Sequence, residues 1–339
     1  MLRAELIRPG VVEMREIPTP APAPGELLIR VEAALTCGTD LKMYRRGHPR
    51  IPLPAPFGHE FAGTVAAVGK GITNFREGDA IAAVPTAPCG ECRVCRRGRE
   101  NLCPLGIGRI ALGAFGEYLV LPAHLVAQGN VFQRPGHLSA QRAAALEPLA
   151  CVVHGASRVA LDRAETVLIL GDGPIALLFV QRAKAAGSRV VLVGRHEVRL
   201  QAARLFGAEA LTSPGADPVD AVRDYLNAEP DLVIESVGDP SLWEAAHSLA
   251  APAGEVLLYG GCAAGSTATF DTGRLHYDEI DLKGAFHYTR AAVREALGLL
   301  ASGAVDVAPL ITHARPLAAL EQALALVVTR EAIKVAVLP

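Results

Sequence analysis

Four of the seven cysteines lie within a single short stretch of sequence, "CGECRVCRRGRENLC". Their spacing is C-x2-C-x2-C-x7-C, and they are Cys89, Cys92, Cys95 and Cys103. Four thiolates that close together can surround one tetrahedral ion, which is the closed coordination of a structural zinc. An iron–sulfur cluster is possible by count, but the spacing does not match the ferredoxin patterns. The stretch therefore predicts a zinc ion that folds a long loop and leaves no open position for catalysis.

A second set of metal-ligating residues lies outside that stretch. Cys37 stands in "LTCGTD", and His59 and Glu60 are adjacent in "PFGHEF". Cysteine, histidine and a carboxylate form the mixed ligand set of a catalytic zinc, which keeps a position for water or substrate. Asp40 is expected to accept a hydrogen bond from the ring nitrogen of His59 that does not bind metal. The third ligand is either Glu60 or Glu147, which stands in "LEPLACVVHG" where two domains are expected to meet; the alternative is a buried thiol and an unrelated loop histidine.

The segment "LGDGPIA" carries the pattern G-x-G-x-x-A between an apolar strand and a helical segment. Gly171 would permit a tight turn, and Gly173 would let the backbone approach a pyrophosphate at the helix N-terminus. Pro174 and Ile175 begin that helix and belong to the predicted set of cofactor contacts. The alternative is a plain turn between strand and helix.

The end of the next strand bears on which dinucleotide binds. An NAD site is expected to have an acidic residue about 20 positions after the glycine motif. Gly194 occupies that place, and Arg195 and Arg199 follow in "VGRHEVR". Two guanidinium groups suit a 2′-phosphate, so the sequence favours NADP. Glu197 could serve as an offset acceptor, which leaves NAD open, and the arginines could also be the solvated start of a helix.

Two kinds of element are needed to position these residues. The first ~150 residues are rich in Gly and Pro and contain short β-like pieces, which is typical of an antiparallel, partly barrel-like domain. From Thr166 onward, six apolar strand candidates follow, most of them separated by helical segments. They are "TVLILG", "RVVLVG", "EALT", "DLVIESVG", "GEVLLYGG" and "IDLKGAF", with "DPVDAVRDYL" among the helical segments. This alternation predicts a doubly wound parallel sheet covered on both faces; two more helical stretches and a strand, "KVAVLP", close the chain.

The bulk composition excludes several classes of function. The chain has 339 residues, enough for two domains, and its 33 basic and 35 acidic residues give a net charge of −2. That balance carries no nucleic-acid footprint. No apolar run approaches the ~18 residues of a membrane helix, and the first residues lack the apolar core of a signal peptide. A cytoplasmic protein without a nucleic-acid or membrane partner is the expectation.

Taken together, these motifs resemble the zinc-dependent medium-chain alcohol dehydrogenases over essentially the whole chain. The matching pieces are "CGTD", "GHEFAGTVAAVG", the four-cysteine stretch, "GAFGEYLVLP", "EPLACVVHG" and "GDGPIA". The "EPLACV" form is most similar to the sorbitol (polyol) and threonine dehydrogenase branch. The resemblance implies an α/β fold in which residues 1–148 and 288–339 form a GroES-like, partly barrel-shaped catalytic domain and residues 149–287 form a Rossmann domain with a six-stranded parallel sheet.

The resemblance also implies roles for individual residues. Cys37, His59 and Glu60 resemble the catalytic zinc ligands of that branch. Glu147 resembles the glutamate that binds zinc directly or through water and exchanges with the residue at the place of Glu60. Thr39 resembles the hydroxyl residue that takes the proton of the substrate.

Some positions depart from the family pattern or match it loosely. Lys42 stands where many members have a relay histidine, so it is the candidate for the outer proton path. Gly194 replaces the usual acidic residue. Lys334, in "IKVAVLP", stands where many members have a basic contact to the pyrophosphate. In "FHYTR", His287 and Tyr288 either line the substrate cleft or pack at a hinge.

The function that these expectations predict is reversible oxidation of a secondary alcohol, such as a polyol, sugar alcohol or amino alcohol, to a ketone. Hydride would pass to NADP or NAD, and each chain would hold two zinc ions. The alternatives are a ketone or aldehyde reductase that uses NADPH and, from another class, a dinucleotide-binding structural protein without catalysis. The substrate is a small molecule that the sequence does not specify, and the resemblance implies a homodimer or homotetramer.

Overall fold

The computed structural model describes residues 1–48, 50–213 and 218–339. The chain divides into two compact units, residues 1–150 with 289–339 and residues 151–288. The sequence led us to expect the first domain to end at residue 148 and to resume at residue 288.

The first part of the chain is built mostly of strands. Its elements are β1 (Leu2–Arg8), β2 (Val11–Glu16), β3 (Leu27–Leu35), α1 (Gly38–Arg46), β4 (Ala55–Pro56), β5 (Glu60–Val68), β6 (Ala80–Ala83), α2 (Arg93–Arg96), α3 (Pro104–Gly108), β7 (Tyr118–Leu121), α4 (Ala123–Ala127), β8 (Val131–Gln133), α5 (Ala140–Ala143) and α6 (Leu146–Ala156). The boundary between the two units falls within α6.

The second unit alternates strands and helices. Its elements are β9 (Thr166–Leu170), α7 (Pro174–Ala185), β10 (Arg189–Gly194), α8 (Glu197–Leu205), β11 (Glu209–Thr212), α9 (Val219–Tyr225), β12 (Leu232–Glu235), α10 (Pro240–Leu249), β13 (Glu255–Leu258), α11 (Thr272–Tyr277) and β14 (Asp281–Gly284). The six predicted strands are confirmed as β9 to β14. Asp217, the first residue of the predicted helix "DPVDAVRDYL", lies outside the described residues.

The last part of the chain returns to the first unit. It contributes α12 (Arg290–Ser302), β15 (Ile311–Pro316), α13 (Leu320–Val328) and β16 (Lys334–Leu338).

The first unit contains a three-stranded sheet and a larger mixed sheet. The larger sheet has the order β15-β16-β3-β5-β6-β8, and β7 also pairs with β3. The pairings are antiparallel except for the parallel pair β15 and β16. Leu35, at the end of β3, is opposite both Glu60 on β5 and Ala336 on β16. This register brings together three parts of the chain that are distant in sequence.

Aromatic and aliphatic side chains fill the interior of the first unit. The rings of Phe57 and Phe115 meet edge to face with their centroids 5.4 Å apart, and both side chains are fully buried. Phe61 of β5 belongs to the same apolar cluster. Because β5 and the segment before it carry this core, the backbone at residues 59 and 60 is held by packing on both sides.

The second unit is a parallel sheet with the order β11-β10-β9-β12-β13-β14. The order reverses direction between β9 and β12, which are neighbours at the centre of the sheet. Ligands of doubly wound sheets bind at the carboxyl ends of the strands at such a switch point. The central strands are buried on both faces, as their continuous apolar sequences predict.

The predicted α/β class, with a Rossmann-like parallel sheet and a second β-rich domain, is therefore confirmed. Across the part of the chain that the structure describes, we find no helix with the length and apolar character needed to cross a membrane.

Candidate functional site

The four clustered cysteines converge in the first unit. Their sulfur atoms lie within 4.8 Å of one another. Three of the Sγ–Sγ distances are 3.9 Å (Cys89–Cys95), 3.5 Å (Cys92–Cys95) and 3.9 Å (Cys92–Cys103). Zinc–sulfur bonds of about 2.3 Å in a tetrahedron require sulfur atoms about 3.8 Å apart. The four side chains thus fit one zinc ion.

Backbone amides surround these sulfurs. Cys92 N donates to Cys89 Sγ at 3.3 Å, and the amides of Cys89 and Gly106 donate to Cys103 Sγ at 3.3 and 3.4 Å. Backbone hydrogen bonds lower the pKa of Cys89 to about 6, whereas burial raises that of Cys95 to about 12. Only a cation at the centre would favour the thiolate form of all four together.

The second ligand set is organised by the start of α1. Cys37 caps this helix, and its sulfur accepts a hydrogen bond from Thr39 N at 3.5 Å. Asp40 returns the contact, since its Oδ2 accepts from Cys37 N at 2.9 Å. This reciprocal cap fixes the backbone on both sides of the sulfur.

His59 lies against the same aspartate. Its Nδ1 is 2.9 Å from Asp40 Oδ1, and both side chains are buried. A carboxylate on Nδ1 selects the tautomer in which Nε2 is available as a ligand, so the structure brings these two residues together in the predicted arrangement. One aspartate therefore positions both Cys37 and His59.

The surroundings raise the pKa of both members of this pair, for different reasons. Burial, with the nearby Glu60 carboxylate, raises the pKa of Cys37. Burial acts to lower the pKa of His59, but the charge and hydrogen bond of Asp40 outweigh it and raise that pKa well above its usual value. A zinc ion would reverse both tendencies because it binds the thiolate and the neutral imidazole. Sulfur, nitrogen and carboxylate atoms within 4.8 Å of one another are donors that suit zinc.

Glu60, the third member of this set, has an unexpected partner. Lys334 Nζ donates to both of its carboxylate oxygens, at 2.8 and 2.5 Å, and to Thr36 O at 3.0 Å. The side chain of Lys334 is only 3% exposed. The predicted contact between Lys334 and a pyrophosphate is therefore wrong for this structure, because the ammonium is buried and committed to Glu60.

The pKa of Glu60 reflects these surroundings. Burial raises it to about 7; the ammonium of Lys334 acts to lower it, and the carboxylate of Glu147 acts to raise it. Glu147 is thus electrostatically coupled to Glu60, although it lies outside the 4.8 Å group of Cys37, His59 and Glu60. The structure places one of the two candidate carboxylates with the cysteine and histidine and the other farther away.

The predicted proton-transfer residues lie on α1. Thr39 is exposed and lies in the first turn of α1, two residues after the N-cap Cys37. Lys42 is exposed one turn further along the helix.

The glycine turn lies between β9 and α7, as predicted. Gly171 has φ +113°, and a Cβ there would lie 2.6 Å from Ser236 Oγ. This position therefore requires glycine. A Cβ on Gly173 would meet nothing within 4 Å, which leaves room for a ligand above the N-terminus of the twelve-residue helix α7. Pro174 and Ile175 form the first turn of that helix.

The turn after β10 is organised by Asp172, the residue between those two glycines. Asp172 Oδ2 accepts hydrogen bonds from the backbone of Arg195 and from His196. The guanidinium of Arg199 is 4% exposed and lies 3.5 Å from Asp172 Oδ1. The prediction of a direct phosphate contact for Arg199 is corrected accordingly, because its guanidinium faces the protein; Arg195 is exposed.

Sequence reasoning missed Asp172, His196 and the partner of Glu60. The only signal for Asp172 was an acidic residue at the variable position of a motif that binds an anion. For His196, the sequence offered no signal other than its position next to Arg195.

Comparisons with known proteins match both units. Residues 23–130 match the alcohol dehydrogenase GroES-like domain, and residues 174–302 match the zinc-binding dehydrogenase domain. A sorbitol dehydrogenase of Bombyx mori is 32% identical over 333 residues, covering 96% of this chain and 94% of that protein. An L-threonine 3-dehydrogenase of Bacillus velezensis is 32% identical over 338 residues, covering 96% and 95%. The crystal structure of a zinc-binding dehydrogenase from Sinorhizobium meliloti, described as putative and bound to NADP, is 30% identical with a TM-score of 0.89, covering 100% of this chain and 99% of that one.

Proposed function

The chain belongs to the zinc-dependent medium-chain alcohol dehydrogenase family, in its sorbitol and threonine dehydrogenase-like branch, and from this premise we propose that it reversibly oxidises a secondary alcohol to a ketone with NADP. The observation that carries the proposal is the pair Cys37 and His59, positioned together by Asp40. Cys37 and His59 would hold a zinc ion, with Glu60 or Glu147 as the further ligand. The bound ion supplies Lewis-acid polarisation of the alcohol oxygen.

The residues around this pair have separate roles in the proposal. Asp40 keeps Nε2 of His59 available and holds the backbone of Cys37. Thr39 Oγ1 accepts the hydroxyl proton of the alcohol while its own proton passes to solvent, because its exposed side chain lies two residues after Cys37 and its backbone amide contacts the Cys37 sulfur. A bound nicotinamide would accept the hydride of the carbinol carbon, which leaves the ketone as product.

In the proposal, Lys334 determines whether Glu60 is free to bind the metal. With both oxygens of Glu60 on the ammonium, the carboxylate stands beside Cys37 and His59 as a reserve ligand. We propose that Glu60 and Glu147 alternate at the metal. The four-cysteine site would hold a second zinc ion that stabilises its own loop.

Three features favour NADP. Position 194 is a glycine, so it lacks the acidic side chain that would repel a 2′-phosphate. Arg195 follows it with an exposed guanidinium, which suits phosphate recognition. The relative from Sinorhizobium meliloti is bound to NADP.

The test combines a substrate panel with isotope labelling. Polyols, amino alcohols and simple secondary alcohols, each labelled with deuterium at the carbinol carbon, are incubated with NADP or NAD. The proposal predicts deuterium on the nicotinamide ring of NADPH, and loss of this transfer in His59→Ala. His276→Ala, at an exposed histidine of α11, is the matched control and should retain it. Transfer by His59→Ala at the wild-type rate would disprove the proposed site.

A further inference from the structure

The residue between the two glycines of the dinucleotide turn connects the carboxyl ends of two neighbouring strands. Asp172 follows β9, and its Oδ2 lies 2.8 Å from Arg195 N, 2.9 Å from His196 N and 2.8 Å from His196 Nδ1, all in the turn that follows β10. Asp172 is buried. A single carboxylate oxygen therefore fixes the backbone of two residues and the orientation of one ring.

The same carboxylate fills the space beside Gly194. A Cβ built on Gly194 would lie 2.6 Å from Asp172 Cβ and 2.7 Å from Asp172 Oδ2. Cβ atoms essentially never approach other atoms this closely. Asp172 in this position and an acidic side chain at position 194 therefore exclude each other.

Asp172 itself is a poor acceptor for a ribose hydroxyl. Its Oδ2 already accepts from three donors, and Oδ1 faces the buried guanidinium of Arg199 at 3.5 Å. Burial acts to raise the pKa of Asp172, but the hydrogen bonds from Arg195 and His196 outweigh it and lower that pKa, so the group is charged. Its negative charge is balanced by these donors and by Arg199, so the exposed side chain of Arg195 stays available to a ligand.

Two side chains of this turn, a guanidinium and an imidazole, are accessible to a ligand. Arg195 is exposed, and the side chain of His196 is 31% exposed while its Nδ1 is held by Asp172. Held in this way, the ring can offer only its Nε2 edge to a ligand.

We propose that Asp172 is a specificity-determining positioning residue, which excludes an acid at position 194 and fixes the turn so that Arg195 and His196 face the adenosine 2′-phosphate. This inference rests on the proposed use of NADP. It places one cause of the NADP preference in the turn after β9. The sequence motif instead places the determinant of that preference at the end of β10.

The test measures binding of two non-reactive probes to the zinc-loaded protein by calorimetry. Adenosine 2′,5′-bisphosphate and adenosine 5′-monophosphate differ only by the 2′-phosphate. Wild type should prefer the bisphosphate. Asp172→Ala should weaken bisphosphate binding by about tenfold or more and change monophosphate binding much less, as expected when several hydrogen bonds that order a turn are lost. Asp172→Asn keeps an oxygen acceptor without the charge, so it should fall between the two.

Two further variants test the exclusion at position 194. Gly194→Asp alone should weaken both probes, because its Cβ meets Asp172. Gly194→Asp combined with Asp172→Gly should bind the monophosphate better than Gly194→Asp does, since glycine at position 172 removes both the Cβ and the carboxylate that the new side chain would meet. Asp224→Ala, at an exposed position of α9, is the control and should match wild type.

The outcomes separate this inference from the proposed function. If wild type prefers the monophosphate, both the NADP assignment and the role of Asp172 are wrong, while the dehydrogenase reaction is judged by deuterium transfer. If wild type prefers the bisphosphate but Asp172→Ala leaves the preference unchanged, the inference alone fails. Loss of monophosphate binding specifically in Asp172→Ala would show that Asp172 is a ribose acceptor and would also overturn it. Circular dichroism and zinc content establish that each variant is folded.

Discussion

Lys334 and Glu60 form a buried ion pair between residues that are 274 positions apart in the sequence, with Nζ 2.8 and 2.5 Å from the two carboxylate oxygens. The pair is possible because Leu35 of β3 is opposite Glu60 on one side and Ala336 on the other. Thr36 extends this arrangement, since its carbonyl accepts from Lys334 Nζ and its hydroxyl accepts from Val335 N. The C-terminal strand thus supplies the counter-ion of a carboxylate beside the candidate metal ligands.

Lys334→Met removes that counter-ion and leaves the Glu60 carboxylate buried without it. Breaking a buried pair from one side costs about 3–5 kcal/mol in the free energy of unfolding. We therefore expect a clearly lower melting temperature by calorimetry at constant zinc. Lys70→Met, at an exposed lysine, should change little. Adding Glu60→Gln to Lys334→Met should restore part of the loss; strictly additive losses would contradict the pairing.

Asp40→Asn should weaken zinc binding at Cys37 and His59. The substitution removes the carboxylate that selects the His59 tautomer and the charged acceptor of Cys37 N. Loss of such an outer contact typically costs 10–100-fold in metal affinity. Competition with a chelator measures this affinity, and the four-cysteine zinc provides the internal reference. Equal weakening of both zinc ions would point to general destabilisation instead.

Cys92→Ser should remove the zinc of the four-cysteine site and leave the other site loaded. Its sulfur lies 3.5 Å from that of Cys95 and 3.9 Å from that of Cys103, so the remaining three cannot close a tetrahedron. Elemental analysis should show the loss of about one zinc ion per chain, with a lower melting temperature. The matched control is Cys262→Ser, because Cys262 lies outside the four-cysteine set. Full zinc content in Cys92→Ser would refute the site.

Gly171→Ala should impair dinucleotide binding and stability together. The backbone at this position has φ +113°, and the new methyl would lie 2.6 Å from Ser236 Oγ and 2.8 Å from Val237 Cγ2. We expect at least about 1 kcal/mol of destabilisation and much weaker binding of NADP by calorimetry. Gly298→Ala, at an exposed helix position with no atom within 4 Å, should instead be neutral or stabilising. Unchanged NADP binding in Gly171→Ala would argue against this turn as the cofactor site.

Local patterns predict much of this molecule. The alternation of strands and helices predicts the parallel sheet, and cysteine spacing predicts the four-sulfur site, because both depend on residues that are close in sequence. The contact between His59 and Asp40 was also expected, since cysteine, aspartate and histidine suggest a metal ligand set with its support.

Long-range and compensating contacts are what the sequence did not reveal. The family resemblance implied a phosphate contact for Lys334, and its distance from Glu60 along the chain hides the strand register that brings the two together. Gly194 indicated a missing acid, but in three dimensions the space is occupied by Asp172 from a neighbouring turn. Arg199 has the correct charge for a phosphate, yet its helix directs it toward Asp172.

We propose that Cys37 and His59 form a catalytic zinc site separate from the four-cysteine site. The most direct measurement is zinc content per chain by elemental analysis, in wild type and in His59→Ala, after both are freed of loosely bound metal. We expect about two zinc ions per chain in wild type and about one in His59→Ala. Equal zinc content in the two proteins would contradict it.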